Sequence, residues 1–224
     1  LAIKNIAANK TRSILTMLGI IIGVAAVIVI TGLGNGMDIY MRESFESMGT
    51  NSFSIYVYGR GDKYLTVDDM QEIVDDNQDL LDKASPELSG SPGTIKIGTS
   101  TLSATQVAGV NEQYFDIKGL KVDKGRNIQY IDCEKRMQVC VIGTYINQSF
   151  FAGRGIGESI KIAGSDYKVI GIMEKKGDGS EYSADNCIFL PYSTVSRLSG
   201  KGNIDSFAVS FKDSDKAADA KKLI

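Results

Sequence analysis

The chain has 224 residues and a net charge of −2, and 43% of its residues are hydrophobic. This near-neutral balance argues against nucleic acid as a partner, because phosphate binding favours a basic face. The sequence contains no His, the commonest general base and metal ligand, so a catalytic or zinc site would have to use Asp, Glu and Cys.

The first long element is an uncharged apolar run from Ser13 to Leu33. At about 1.5 Å of rise per residue, a helix of this length crosses the roughly 30 Å of a bilayer core. A signal peptide is the alternative, but its apolar part is usually shorter, about 7–15 residues, and ends at a small-residue cleavage site. Ala25 and Ala26 are followed by more Val and Ile, so we predict an uncleaved transmembrane helix over 13–33.

Basic residues in front of this run predict its orientation. Lys4, Lys10 and Arg12 precede it, whereas the first charged residue behind it is Asp38. An excess of Lys and Arg marks the cytoplasmic side of a membrane helix. We therefore predict a cell-membrane protein with a cytoplasmic N-terminus and an extracytoplasmic main domain. Residues 1–12 have the pattern of an amphipathic segment with a basic face, which suits the cytoplasmic interface of the bilayer.

Two glycines inside the run, Gly19 and Gly23, form a four-residue step that lets a neighbouring helix approach closely. Glycine is also common in membrane helices in general, so packing against a second helix is one of two interpretations. Helical spacing resumes over 37–48. We predict residues 34–49 as a helical stalk, either continuous with the membrane helix or following a kink at intervening glycines.

The remaining sequence predicts a domain that mixes helices and strands. Thr66 is a good N-cap for a helix over 67–76. The acidic cluster that follows lacks the spacing and the Gly of an EF-hand, so we interpret it as a solvated face. From residue 94 the pattern becomes β, with short helices between strands and a flexible polar stretch at 176–184. The predicted strands are 53–58, 94–97, 101–107, 138–142, 159–162, 167–173, 187–190 and 207–211, and the predicted short helices are 112–115, 144–151, 193–198 and a last one from 215.

The three cysteines, Cys133, Cys140 and Cys187, fall outside the membrane in this topology. Their odd number leaves at least one free thiol or an intermolecular bond, and the lack of a CxxC motif argues against zinc. Cys133 and Cys140 are near enough in sequence to close a small disulfide loop in an oxidising compartment. The interpretation that we favour is that Cys140 is a small buried hydrophobic residue and Cys133 a solvated thiol.

Motifs of independent enzymes are missing from the sequence. It contains neither a GxxxxGK[ST] phosphate-binding loop nor a GxSxG nucleophile motif, and its carboxylates fall mostly in loops and on helix faces. We expect no catalytic residue, cofactor or metal on this chain.

Many short motifs resemble, in order and spacing, those of MacB/FtsX-type ABC transporter permeases over essentially the whole chain. The segment from Asn5 to Val24 resembles the first membrane helix of that family, and 48–51 resembles its Gly-x-Asn step before the first strand. A further set of motifs resembles the extracytoplasmic core of the family. These are Ala108-Gly109-Val110, Tyr114-Phe115, Gly125-Arg126, Asp132, Val141-Ile142-Gly143, Phe150-Phe151, Gly157, Val169-Ile170-Gly171 and Leu190-Pro191 with Thr194. Each motif alone is weak, so the resemblance depends on their common order.

The resemblance implies an α+β fold: one N-terminal transmembrane helix, then an extracytoplasmic domain in two parts. A porter-like α/β part would comprise 50–112 and 202–224, and a β-rich sabre-like part, 113–201, would be inserted between them. Permeases of this family have four membrane helices and work as homo- or heterodimers beside an ABC ATPase, which binds the ATP. They couple ATP hydrolysis to movement of the outer domain (mechanotransmission) in the export or efflux of peptide, antibiotic or lipoprotein-like substrates.

The sequence stops inside a predicted helix, so we expect it to be part of a longer protein. Without the resemblance, a membrane helix followed by an α+β domain is also typical of a membrane-anchored extracytoplasmic binding or sensor module. That module is the alternative function.

Overall fold

The computed structural model describes residues 10–47, 52–57, 65–90, 93–200, 204 and 206–212. The chain divides into two compact units, Leu1–Met48 and Gly49–Ile224, and each is described by itself. Several predictions lie outside the described residues: the amphipathic segment up to residue 9, the Gly-x-Asn step and the helix from 215.

The described residues of the first unit form one helix, α1, which runs from Lys10 to Ser47 over 38 residues. An α-helix of this length is about 57 Å long. Its part from Ile14 to Ile39 has the length and composition of a membrane span, with a mean hydropathy of 2.8. Since α1 is continuous through 32–36, the predicted stalk extends the membrane helix, which is the first of the two alternatives given for it.

The second unit contains all the remaining elements, twelve strands and five helices among the residues that the structure describes. They are β1 (Ser52–Tyr56), α2 (Val67–Asp76), β2 (Leu81–Pro86), β3 (Leu88–Ser89), β4 (Ile95–Ile97), β5 (Ser100–Leu102), β6 (Gln106–Val110), α3 (Tyr114–Ile117), β7 (Val122–Gly125), α4 (Tyr130–Glu134), β8 (Val139–Ile142), α5 (Thr144–Phe151), β9 (Ser159–Ile162), β10 (Ser165–Met173), β11 (Cys187–Pro191), α6 (Tyr192–Ser199) and β12 (Ser206–Phe211).

Strands β1, β12 and β2 form a small antiparallel sheet in that order. Helix α2 packs beside it and begins at the predicted N-cap. The Thr66 hydroxyl accepts a hydrogen bond from the Asp69 amide at 3.1 Å, and the Asp69 carboxylate accepts one from the Thr66 amide at 2.9 Å. This capping box satisfies two free amides at the helix start. Met70 and Val74, one turn apart on α2, are buried in the core.

The other nine strands form one sheet with the order β3-β6-β11-β8-β10-β9-β4-β5, and β7 pairs with β10. Among its described strand pairs, β6–β11 and β8–β10 are parallel and the others are antiparallel. Because strand side chains alternate, both faces of this sheet carry a core. Cys140 and Ile142 of β8 join the larger cluster on one face, whereas Val141 joins Phe115 and Phe189 on the other.

The structure corrects several sequence predictions in the second unit. The predicted strand 101–107 is two strands, β5 and β6, separated by a bend. Strand β2 was not predicted, and Gly125, expected in a loop, ends strand β7. The polar stretch 176–184 lacks helix and strand, as expected, but its backbone is fixed by hydrogen bonds to Asp185.

The division into porter-like and sabre-like parts stays a prediction. The small sheet takes strands from both ends of the domain, as expected for a porter-like part made of two separate segments of the sequence. However, β4, β5 and β6 lie within the predicted segment 50–112 and belong to the same sheet as the strands of 113–201. The boundary between the two sheets therefore falls near residue 87 rather than residue 112.

Candidate functional site

The part of helix α1 from Ile14 to Ile39 is predominantly apolar and exposes its described side chains. Every described side chain from Ile14 to Ile39 is exposed, and its Ile, Leu and Val residues are each at least half exposed. Water cannot stabilise so large an apolar surface, so α1 requires lipid or partner helices around it. Thr16 and Thr31, the two threonines between Ile14 and Ile39, donate their hydroxyls to backbone carbonyls one turn earlier, which removes polar groups from that surface.

Gly19 and Gly23 lie one turn apart on α1, and a Cβ atom built on either would meet no atom within 4 Å. Nothing in the described part of this chain therefore requires glycine at these positions. Their predicted role in packing against another helix stays a prediction. The same is true of the orientation: Arg12 is exposed near the start of α1 and Lys10 begins it, while Lys4 lies outside the described residues.

The structure does not bring Cys133 and Cys140 together. Both thiols are free and buried, and burial raises the pKa of each to about 12. Cys140 belongs to one face of the large sheet, whereas Cys133 packs on the other face and points its thiol at the Val110 carbonyl. Cys140 is the buried hydrophobic residue that we expected. The prediction of a solvated Cys133 is wrong, because α4 turns this side chain into the core.

Polar contacts join α3 and the residues that flank it to the two outer strands of the small sheet, β1 and β2. Lys83 of β2 donates to Asp116 at 2.7 Å, and the backbone of Ala84 donates to the side chain of Gln113 at 3.1 Å. On the other side, Lys118 donates to Ser54 of β1 at 3.3 Å. Since these bonds run to all parts of α3, they fix its position at the junction of the two sheets.

A cleft of about 470 Å³ opens beside this junction. Its apolar surface comes from the side chains of four strands, Ile95, Leu102, Val107 and Phe189. Among the described residues that line it, only Glu87 carries a charge. The volume falls within the range of about 300–1,000 Å³ that is typical of ligand sites.

Glu87 is held by two neighbours at the edge of this cleft. The hydroxyl of Tyr114 donates to one carboxylate oxygen at 3.0 Å, and Lys118 Nζ lies 3.9 Å from the other. Burial, together with the charge of Glu87, raises the pKa of Tyr114, so this hydroxyl stays a donor. Across the described ranges, no three His, Cys, Asp or Glu side chains converge as metal ligands.

The profile of one protein family, described as the MacB-like periplasmic core domain, matches residues 13–224. The chain belongs to this family. Macrolide export ATP-binding/permease protein MacB of Neisseria gonorrhoeae is 36% identical over 99% of this chain and 35% of its own length. The protein of the same name from Aggregatibacter actinomycetemcomitans is 31% identical over 100% of this chain and 36% of its own length. The chain thus spans about a third of the length of the curated relatives that it matches.

Solved structures agree with this assignment. The periplasmic region of MacB from Actinobacillus actinomycetemcomitans has a TM-score of 0.64 and 26% identity, covering 80% of this chain and 83% of that one. The extracellular domain of the noncanonic ABC-type transporter YknZ from Gram-positive bacteria has a TM-score of 0.61, covering 75% of this chain and 88% of that one. At 15% identity, the second likeness concerns the fold alone. The chain is thus an ABC transporter permease segment of the MacB type.

Four of the glycines that resemble the MacB-like family have a common physical role, which is close packing of the backbone. A Cβ atom on Gly143 would overlap the carbonyl oxygen of Asp185, and one on Gly171 would overlap that of Arg126. On Gly125 it would overlap the Ile170 carbonyl, and on Gly109 it would lie 2.7 Å from the Val195 side chain. These glycines allow strands and loops of the MacB-like domain to approach one another more closely than any side chain permits.

Two buried carboxylates hold loops of the same domain. Asp132 is fully buried and accepts two hydrogen bonds from Arg126, at 2.6 and 3.0 Å, and one from the Gln129 amide at 2.9 Å. Burial alone would raise the pKa of Asp132, but these donors outweigh it and the pKa is lowered. Asp185 accepts from the amides of Lys176, Gly177 and Gly179, which likewise lower its pKa against the effect of burial.

Sequence reasoning named Asp132 only through the family resemblance and did not single out Asp185. A signal for Asp185 was present, because the stretch before it contains two glycines within four residues. Such a loop exposes amides that a following carboxylate can bind. The cleft had no such signal, since its wall joins three strands of the segment 95–110 to β11, which lies far from them in sequence.

Proposed function

We propose that this chain is part of an ABC exporter permease that couples ATP hydrolysis on a partner ATPase to movement of its extracytoplasmic domain. The observation that carries the proposal is the extent of the family match. It begins within the apolar helix and continues through the domain as one unit, whereas a sensor module would need only the anchoring property of the helix. Relatives named as ATP-binding/permease proteins support the pairing with an ATPase.

The orientation is part of this proposal. Arg12, Lys10 and Lys4 precede an exposed apolar surface that reaches Ile39, and basic residues are retained on the cytoplasmic side. The domain would then lie outside the cell membrane, where a moving outer part can act on exported molecules. A second permease copy and the remaining helices of the permease would cover α1 together with lipid.

The names of the relatives suggest which substrate class to test first. They are called macrolide export proteins, so a macrolide is the first compound to test, and peptides and lipoprotein-like molecules are the further classes. ATP is not expected to bind to this chain, because its sequence has no phosphate-binding loop of the GxxxxGK[ST] type.

The proposal is tested with the full-length permease and its ATPase, reconstituted together in liposomes. We expect ATP-dependent movement of erythromycin, and a loss of movement when the catalytic glutamate of the ATPase is replaced by Gln. An ATP-independent protein that binds erythromycin without moving it would instead establish the anchored binding module.

Orientation is measured by thiol labelling in intact cells, with the three native cysteines replaced by Ala. A Cys introduced at Tyr182, which is 86% exposed, should react with a membrane-impermeant reagent. A Cys introduced at Arg12 should react only after the cells are permeabilised. The opposite labelling pattern would show that the topology is the reverse of the proposed one. Removal of the three basic residues should weaken membrane insertion.

A further inference from the structure

The chain passes from the small sheet to the large one without a loop. Strand β2 of the small sheet ends at Pro86, and β3 of the large sheet begins at Leu88. Glu87 alone separates them. Its amide donates to the Ser206 carbonyl at 2.8 Å, and its carbonyl accepts from the Ser206 hydroxyl at 2.7 Å. A hinge needs residues whose backbone angles are free to change, so a crossing held on both sides of its peptide is a poor hinge.

Two side chains cover the outer edge of β2 in place of a neighbouring strand. The Ala84 amide donates to the side-chain oxygen of Gln113 at 3.1 Å, and the Ala84 carbonyl accepts from the side-chain amide of Asn111 at 3.3 Å. Both side chains come from the segment that directly follows β6 of the large sheet. Ala84 and Asn111 are buried, so water does not compete for these bonds. The large sheet is therefore bonded to β2 through groups that a sheet edge normally leaves free.

Helix α3 and the residue after it span the small sheet from one outer strand to the other. Asp116 accepts from Lys83 of β2 at 2.7 Å, and Lys118 donates to Ser54 of β1 at 3.3 Å. Between these two bonds, Ala208 of the central strand β12 belongs to the same core cluster as the apolar side chains of α3. All three strands of the small sheet are thus tied to one short segment of the chain.

We propose that this segment, residues 111–118, is a clamp that makes the two sheets move as one rigid body. Parts of a protein that move relative to each other share few buried contacts and have weakly held backbone, and the junction of the two sheets has the opposite properties. Strand β1 is the first described strand after helix α1. Movement that enters the domain at β1 would therefore reach the large sheet without being absorbed at the junction.

The role in movement rests on the proposed function, whereas the rigidity of the junction is measured separately from export. Spin labels are introduced at Tyr56 of β1, which is 67% exposed, and at Lys161 of β9, whose side chain is 52% exposed. Both lie outside the clamp. The full-length permease, with its three native cysteines replaced by Ala, is reconstituted with its ATPase in liposomes. Labelled copies are diluted with unlabelled ones, so that double electron–electron resonance measures distances within one chain.

We expect one narrow distance distribution without nucleotide. With ATP and the Glu→Gln variant of the ATPase, its mean should stay within about 2 Å of that value, which is less than a domain rearrangement produces. A larger change between the two states would overturn the proposal, because the sheets would then move relative to each other.

A double variant removes two bonds of the clamp. Gln113→Leu with Lys83→Met deletes the acceptor for the Ala84 amide and the cation for Asp116, while each side chain keeps an apolar body. The distance distribution should widen. ATP hydrolysis should continue, but the erythromycin moved per ATP should fall about threefold or more, as expected when residues that couple two sites are changed.

The matched control combines Gln113→Glu with Lys83→Arg. A Glu oxygen still accepts from the Ala84 amide, and an Arg still donates to Asp116, so the distances and the export per ATP should match those of the wild type. An equal loss of export in the control and in the double variant would overturn the assignment to these bonds.

A distribution in the double variant as narrow as that of the wild type would also overturn the clamp. If the double variant does not fold, the wild-type distances alone decide. If the distances behave as expected but ATP moves no erythromycin, the clamp stands as a structural feature and the export function is wrong.

Discussion

The glycines of helix α1 and those of the extracytoplasmic domain are in opposite situations. On α1, a Cβ atom on any of Gly19, Gly23, Gly32, Gly34 or Gly36 would meet nothing within 4 Å. In the domain, a Cβ atom on Gly143 or Gly171 would overlap a backbone carbonyl. The same residue type is thus required by the fold of this chain in one region and not in the other.

This contrast separates two reasons for glycine. In a helix interior, glycine destabilises the helix by about 1 kcal/mol relative to alanine. In α1, no contact with the described residues of this chain compensates for that loss. Close approach of another helix would supply the compensation. In the domain the compensation lies in close backbone packing, and it can be measured on this chain alone.

The largest effect is expected from Gly143→Ala. Its new methyl group would overlap the Asp185 carbonyl and approach Cys187 Sγ, so the loop or the strand must move. The free energy of unfolding of the domain should fall by about 3 kcal/mol or more. Urea unfolding, followed by near-ultraviolet circular dichroism of the buried tyrosines, measures this. Gly19→Ala is the matched control and should unfold like the wild type. Equal midpoints for both variants would mean that the domain glycines are not required.

A smaller loss is expected from Asp132→Asn. The change leaves Arg126 without its charge partner. Because Arg126 is 40% exposed, we expect the free energy of unfolding to fall by about 2 kcal/mol at pH 7, rather than by the roughly 3–5 kcal/mol of a fully buried pair. Asp123→Asn, at an exposed carboxylate of β7, is the control and should change little.

The effect of Asp132→Asn should also depend on pH. The folded pKa of Asp132 is lowered relative to the unfolded value of about 3.9. Its stabilisation is therefore complete above about pH 5 and is lost as the pH falls through the folded pKa. The difference in free energy of unfolding between the wild type and the variant should shrink steadily below pH 4 in the same urea experiment. A difference that stays constant down to pH 2 would contradict the lowered pKa.

The smallest effect on stability, and a large one on activity, is expected from Gly23→Ile. The span stays apolar and no atom of the described chain is displaced, so membrane abundance and domain unfolding should match the wild type. If α1 packs against a neighbouring helix on this face, the larger side chain pushes that helix away, and ATP-dependent export should fall. Export at the wild-type rate would show that the glycine face meets only lipid.

Local signals predicted the elements that local chemistry determines. The N-cap at Thr66 and the hairpin of β9 and β10 have their determinants within a few residues, and both are found. Strand β2 has the sequence LDKASP, which is typical of a loop. It is a strand because β12, more than a hundred residues later, pairs with it.

The candidate site was less accessible to sequence analysis for the same reason. Gly19 and Gly23 could be named from spacing alone, since one helix turn determines their common face. The burial of Cys133 depends on α4 packing against the sheet, and the cleft depends on β11 lying beside strands from the segment 95–110. Neither arrangement leaves a periodic pattern in the sequence.

The small sheet has a consequence for the order in which the domain is made. Strands β1 and β2 pair only with β12 among the described strands, and Tyr56 faces Ser206, a separation of 150 positions. At a synthesis rate of about 5–20 residues per second, β1 waits roughly 8–30 s for its partner. During that interval both edges of β1 are open, and its sequence SFSIY combines β propensity with an absence of charge. The nascent chain is therefore most prone to aggregation while this sheet is incomplete, and a chaperone that protects residues near 52–56 would act within that interval.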